Sequence, residues 1–155
     1  MDFFSSWTIV RNYRWQINME EHLVVGFTAG SFDLCHAGHL LMFKEIRQQC
    51  DYLIVGLQTD PTIDRPEKHI PVETVEERFI RLDACKYIDK VIIYDTEADL
   101  YKLLEKEMPD VRFIGADWKD KPYTGHNLPI NVVFNSRDHN YSSSNLRERI
   151  KRSDY

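Results

Sequence analysis

Five short apolar runs, at residues 23–28, 51–57, 90–94, 111–115 and 130–134, limit the fold of this chain more than any other feature. Each is the length of a strand, and runs this apolar suit a sheet covered on both faces. Between them lie segments with helical spacing. Residues 38–49 predict one helix, and a second runs from a Thr74 cap to about residue 87, with Glu76 and Glu77 in its favoured first turn. Residues 97–107 place Leu100, Leu103 and Leu104 on one face and stop before Pro109, and a last helix spans about 144–152. The stretch 59–73, with Pro61, Pro66 and Pro71 among charges, predicts a loop of functional length. Strands alternating with helices give an α/β class: a doubly wound, five-stranded parallel sheet whose ligands lie beyond the carboxyl ends of the strands.

A chain of 155 residues fits one domain with a core that needs no disulfide or structural metal. Residues 1–21 hold Phe3, Phe4, Trp7, Tyr13 and Trp15 without a clear period, so they are expected to be an extension or arm ahead of a domain at 22–155. Cys35, Cys50 and Cys85 are odd in number and scattered, and no signal peptide or membrane-length apolar run is evident. A reducing, cytoplasmic setting is the expectation, with no membrane partner. Twenty basic against twenty-five acidic residues give a net charge of −5, which argues against a broad nucleic-acid footprint. Any anion must therefore be held by a local basic pocket.

One such pocket is predicted where the first run meets the first helix, at Gly30-Ser31-Phe32-Asp33-Leu34-Cys35-His36-Ala37-Gly38-His39. A strand feeding a helix through a Gly-containing bend aims free backbone N–H groups and the positive end of the helix dipole at one spot. His36 and His39, three apart, add two imidazoles leaning the same way. A zinc site on Cys35, His36 and His39 is the alternative, weakened because no second Cys/His cluster supplies further ligands. Two surface histidines without a role are the other. Asp33 is expected to order the turn by accepting backbone N–H groups rather than to react.

The spacing G-x-F-D-x-x-H-x-G-H resembles the signature of the nucleotidylyltransferase superfamily, whose H-x-G-H element grips nucleoside triphosphate phosphates. Three further clusters sit at predicted strand ends: Thr59-Asp60, Gly115-Ala116-Asp117-Trp118, and the segment from Arg137 to Ser144. In the last, Ser142, Ser143 and Ser144 at a helix start, with Arg137 nearby, form a second anion cradle or an ordinary helix cap. Asp117 and Trp118 are either contacts to ribose and base or a loop carboxylate beside a packed indole. Neither a G-x-G-x-x-G turn nor a G-x-x-x-x-G-K-[S/T] loop is present, so dehydrogenase and P-loop readings lose their support.

Taken together, residues 23–150 resemble the glycerol-3-phosphate cytidylyltransferases. Gly30 to His39 is similar to G-T-F-D-L-x-H-x-G-H, Asp51-Tyr52-Leu53-Ile54-Val55 with Thr59-Asp60 to D-Y-L-V-V…T-D, and Glu77-Arg78 to E-x-R. Lys86-Tyr87-Ile88-Asp89-Lys90-Val91-Ile92 is similar to R-Y-V-D-E-V-I, and Gly115-Ala116-Asp117-Trp118 to G-D-D-W. The segment 137–144 keeps the Arg and the hydroxyl triplet of R-T-E-G-I-S-T-T but replaces the four residues between them with Asp138, His139, Asn140 and Tyr141.

The resemblance implies transfer of a cytidylyl group from CTP to a small phosphate ester such as glycerol 3-phosphate, with pyrophosphate released, Mg²⁺ accompanying the triphosphate, and a homodimer. His36, His39, Arg137 and Lys68 would serve the triphosphate, with Arg65 as the other loop cation or a contact to the acceptor. Ala29, Gly30, Ser31, Phe32, Gly38, Asp117, Trp118, Ser142, Ser143 and Ser144 would surround the nucleotide. Arg78 would face the acceptor's phosphate or a structural carboxylate, and no residue is expected to hold a metal. Related enzymes on the same scaffold use ATP with sugar phosphates, which is the alternative activity. A nucleotide-binding module without turnover is the alternative class.

Overall fold

The computed structural model describes residues 22–153, so the expected arm at 1–21 lies outside the described residues. Five parallel strands form one sheet in the order β3-β2-β1-β4-β5. They are β1 (Val25–Gly30), β2 (Tyr52–Gln58), β3 (Lys90–Tyr94), β4 (Val111–Gly115) and β5 (Asn131–Asn135). The chain winds outward from β1 through β2 to β3, then returns to lay β4 on the other side of β1. That reversal puts the topological switch point between β1 and β4, where ligands of open α/β sheets bind.

The helices cover both faces. Phe43 and Ile46 of α1 (Ala37–Arg47) and Leu82 of α2 (Val75–Asp83) bury against Leu53, Val55, Leu57 and Phe113. Leu100, Leu103 and Leu104 of α3 (Glu97–Glu107) pack with Phe27, Ile54 and Tyr94 on the opposite face. Each such side chain contributes about 1.5–3 kcal/mol relative to exposure. The last helix, α4 (Ser143–Arg152), follows β5 and buries no residue completely.

Two of the boundaries that differ from their local pattern bear on the site. β1 runs to Gly30 because residues 28–30 pair with Val55, Gly56 and Leu57 of β2, a long-range register that no local period reveals. Gly30 therefore belongs to the strand, and the bend beyond it is made instead by Phe32 and Leu34, at φ 48° and 55°. Non-glycine residues rarely adopt that region, and when they do it is commonly beside a functional site. α2 stops at Asp83 rather than near residue 87, because bonds from Cys85 N to Leu82 O and from Ile88 N to Cys85 O tighten the chain and drop Ile88 into the core. Its start is as expected, a capping box of Thr74 and Glu77.

Candidate active site

The signature turn leaves the C-terminal end of β1 and enters α1, and its two histidines cap that helix reciprocally. His36 Nδ1 accepts the N–H of Gly38 at 3.1 Å, and His39 Nδ1 accepts the N–H of His36 at 3.3 Å. The rings stack with centroids 3.9 Å apart. The expected free N–H groups are thus partly consumed by the imidazoles themselves. With each Nδ1 acting as acceptor, each neutral ring carries its proton on Nε2, so the pair offers two outward N–H donors in place of backbone amides.

Both rings are held neutral. Burial, with the neighbouring His36 next, pushes His39 down to about 3, and burial with the charges of His139 and Arg137 lowers His36. An imidazole whose folded value lies below its unfolded 6.5 takes up its proton only on unfolding. Stability is therefore complete above that unfolded value and is lost as pH falls toward the folded one. Between pH 7 and pH 5 His39 alone accounts for up to about 2 kcal/mol. Urea unfolding at the two pH values should show that loss in the wild type and much less of it in His39→Asn; an unchanged difference would contradict the assignment.

Asp33 braces the turn from below. Its Oδ1 and Oδ2 accept the N–H groups of Glu73 and Val72, each at 3.0 Å, and Oδ2 pairs with the Arg147 guanidinium of α4. The acceptor role is the one expected, but the amides lie about forty residues ahead rather than in its own turn. Burial pushes its carboxyl up, and the two amides and Arg147 outweigh this to leave it lowered. Loop 59–73 and α4 are thereby both fastened to the signature turn. Glu73 returns the contact by accepting Leu34 N–H at 2.8 Å.

Arg78 requires a correction. It is 2% exposed, and its guanidinium is hydrogen-bonded to no carboxylate but to five backbone carbonyls. Nη1 donates to Ser31 O and Gln58 O at 2.8 and 2.7 Å, Nη2 to Thr59 O at 2.6 Å, and Nε to Glu73 O and Thr74 O at 3.1 and 3.3 Å. Thr74 O also takes the backbone N–H of Arg78 at 3.1 Å, and for the carbonyls of Ser31, Gln58, Thr59 and Glu73 one planar fork supplies donors. Four of its five N–H groups are engaged, so Arg78 holds the site's frame.

Beside the turn opens a cavity of about 730 Å³. Ala29, Gly30, Ser31, Ser143 and Trp118 line it, together with the loop cations Arg65 and Lys68, so seven of the expected residues meet here. Arg65 is fixed by Gln58 Oε1 at 2.8 Å and Glu97 at 3.3 Å, whereas Lys68 has no ion-pair partner among the described residues. Phe32, His36, Gly38, His39, Arg137, Asp117, Ser142 and Ser144 lie outside the lining. Ser142 caps α4 by accepting Asn145 N–H at 3.1 Å, Ser143 donates to Asp33 O at 3.3 Å, and Ser144 is exposed in the first turn. Arg137 and Asp117, placed by their resemblance at opposite ends of a nucleotide, bond each other at 2.6 Å. Gly115 and Asn135 are register partners at the ends of β4 and β5, which brings the two side chains together. An exposed pair of this kind is worth about 0–1 kcal/mol and yields readily to a stronger anion.

Sequence reasoning missed Arg112 and Arg147, and named His139 only as one of the four replaced residues at 138–141. Arg112 is a lone charge inside an apolar strand, a legible sign; it is buried, donates to Thr124 O and lies under the Tyr123 ring, holding the cavity's far wall. Arg147 stands one helical turn after Ser143, and only its pairing with Asp33 marks it out. Among the described residues no group of three or more His, Cys, Asp or Glu is placed to hold a metal, so the zinc alternative has no cluster to rest on. No helix among them is long and apolar enough to cross a membrane.

The profile of the cytidylyltransferase-like family matches residues 27–149, which takes in the sheet, the signature turn and most of α4. The bifunctional protein HldE of Campylobacter jejuni strain RM1221 is 35% identical over 126 residues, covering 81% of this chain and 27% of that protein. HldE of Helicobacter hepaticus is 35% identical over 130 residues, 82% of this chain and 26% of its own length. The chain thus spans about a quarter of these curated relatives. Among solved structures, the lipopolysaccharide core biosynthesis protein from Thermoplasma volcanium superposes with a TM-score of 0.65 at 24% identity, over 76% of this chain and all of that one. Pantoate-beta-alanine ligase from Francisella tularensis, crystallised with beta-gamma ATP and beta-alanine, gives 0.57 at 16% identity, over 81% and 65%. The parallel sheet, its switch-point turn with the paired imidazoles and the matched profile together assign this chain to the cytidylyltransferase-like family of the nucleotidylyltransferase superfamily.

Proposed function

We propose that this domain transfers a nucleotidyl group from a nucleoside triphosphate to a phosphorylated sugar or polyol and releases pyrophosphate. The observation that carries the reading is the imidazole pair: two mutually capped, neutral rings with Nε2–H groups free, beside a cavity lined by Arg65 and Lys68. A phosphate monoester is already ionised near neutral pH, so catalysis needs no general base, only in-line placement and stabilised charge. An acceptor oxygen attacks the α-phosphate while the bond to the β-phosphate breaks. His36 and His39 would donate to the triphosphate. Arg137, released from Asp117, would hold the departing phosphates with Ser143, Ser144 and Lys68. Mg²⁺, carried chiefly by phosphate oxygens and water, would neutralise the remaining charge, which requires no protein cage.

The names of the relatives bear on the substrates. A lipopolysaccharide core biosynthesis protein among the fold neighbours favours a phosphorylated sugar as acceptor, and the resemblance at 30–39 includes enzymes on this scaffold that use ATP with sugar phosphates. CTP with glycerol 3-phosphate is the second reading, supported by the likeness at 30–39 and 115–118. Parallel assays of ATP, CTP, GTP and UTP against a sugar 1-phosphate, glycerol 3-phosphate and phosphocholine separate them. ATP with the sugar phosphate is expected to lead in specificity constant by at least about tenfold. A CTP preference would restore the second reading and leave the chemistry standing.

A further inference from the structure

We propose that His139 is a third imidazole donor to the polyphosphate, built into the segment where this chain departs from its family's pattern. The inference rests on the nucleotidyl-transfer reading of the same site. After β5 the chain folds back over the start of α1, and the His139 ring lies on Gly38: a Cβ added at Gly38 would meet His139 Cε1 at 2.6 Å. A side chain at Gly38 would thus displace the His139 ring and press on the His36 ring at 3.0 Å. His139 is close enough to His36 and His39 to act on the charge of both, and Arg137, two residues earlier, acts on His36. Three imidazoles and one guanidinium therefore converge at a single helix start.

The ring's hydrogen bonding sets its orientation. His139 Nδ1 is buried without a partner. A buried donor without an acceptor is costlier than an acceptor without a donor, so the proton belongs on Nε2. His36 and His39 carry theirs on Nε2 for a different reason, because their Nδ1 atoms take backbone N–H groups. No carboxylate among the described residues is hydrogen-bonded to any of the three rings, so none is poised as a proton relay of the His–Asp kind. A set of N–H donors with no acceptor of its own fits an anion with several oxygens, and the α1 dipole adds to it.

Calorimetric titration with the α,β-methylene analogues of ATP and CTP tests this, with unfolding curves recorded for every variant. Gln places an amide nitrogen near the position of Nε2, whereas Asn places it near Nδ1. His139→Ala is expected to weaken the better-bound analogue by about tenfold, near 1.4 kcal/mol, with His139→Gln recovering most of the loss and His139→Asn little of it. Wild-type affinity in His139→Ala, or rescue by Asn and not by Gln, would overturn the role of His139 while leaving the nucleotide site intact. Failure of the wild type to bind either analogue would remove the nucleotidyl-transfer reading and this inference with it.

Discussion

His39→Ala is expected to lower kcat/KM by about a hundredfold or more, the scale for removing one preorganised transition-state donor. The stability cost should be modest. His39 contributes one cap bond, from His36 N–H at 3.3 Å, an edge contact to Phe32 at 5.5 Å between centroids and the stack on His36 at 3.9 Å, together about 1–3 kcal/mol. Rate should fall more than affinity, because a neutral N–H gains most when charge develops on the phosphate under attack. Steady-state kinetics beside a urea unfolding curve give both quantities. A variant that unfolds like the wild type and turns over at its rate would show that the ring only caps α1.

Arg78→Ala should have the opposite profile, a loss of about 3–5 kcal/mol in stability with substrate contacts untouched. Truncation removes a donor from the carbonyls of Ser31, Gln58, Thr59 and Glu73, at the ends of β1 and β2 and just before α2. Against a typical total of about 5–15 kcal/mol, that is a large share of the stability. Arg78→Lys should recover only part of it, since an ammonium has three donors at a point and cannot fill a planar fork. Denaturant midpoints measure the effect. A midpoint within about 1 kcal/mol of the wild type would mean that water replaces the guanidinium at those carbonyls.

What was legible in the chain follows from the range of the interactions. β3, β4 and α3 sit where their residues predicted, because apolar spacing, the Thr96 cap and Pro109 act within a few residues. The end of β1 was not legible, since its pairing with residues 55–57 is set by the sheet. The i, i+3 histidines announced a shared target, but nothing in the sequence states how an imidazole rotates, so the exchange of free amides for capped rings emerged only from the coordinates. Arg78 reads as a contact to a phosphate or to a structural carboxylate for the same reason: an arginine in a helix looks identical whether it meets an anion or five carbonyls. The cavity is assembled from the ends of β1, β2, β3 and β4 with loop residues and α4, and no local pattern encodes that.

The central claim is that bond breakage occurs between the α- and β-phosphates. ³¹P NMR of the protein with Mg²⁺, a nucleoside triphosphate and a phosphorylated sugar tests it directly. The account predicts pyrophosphate and a nucleoside diphosphate ester growing together in equal amounts, with neither formed when the acceptor is omitted. Orthophosphate appearing with a nucleoside diphosphate would place the attack at the γ-phosphate and contradict it, as would a triphosphate left intact with every acceptor of the panel.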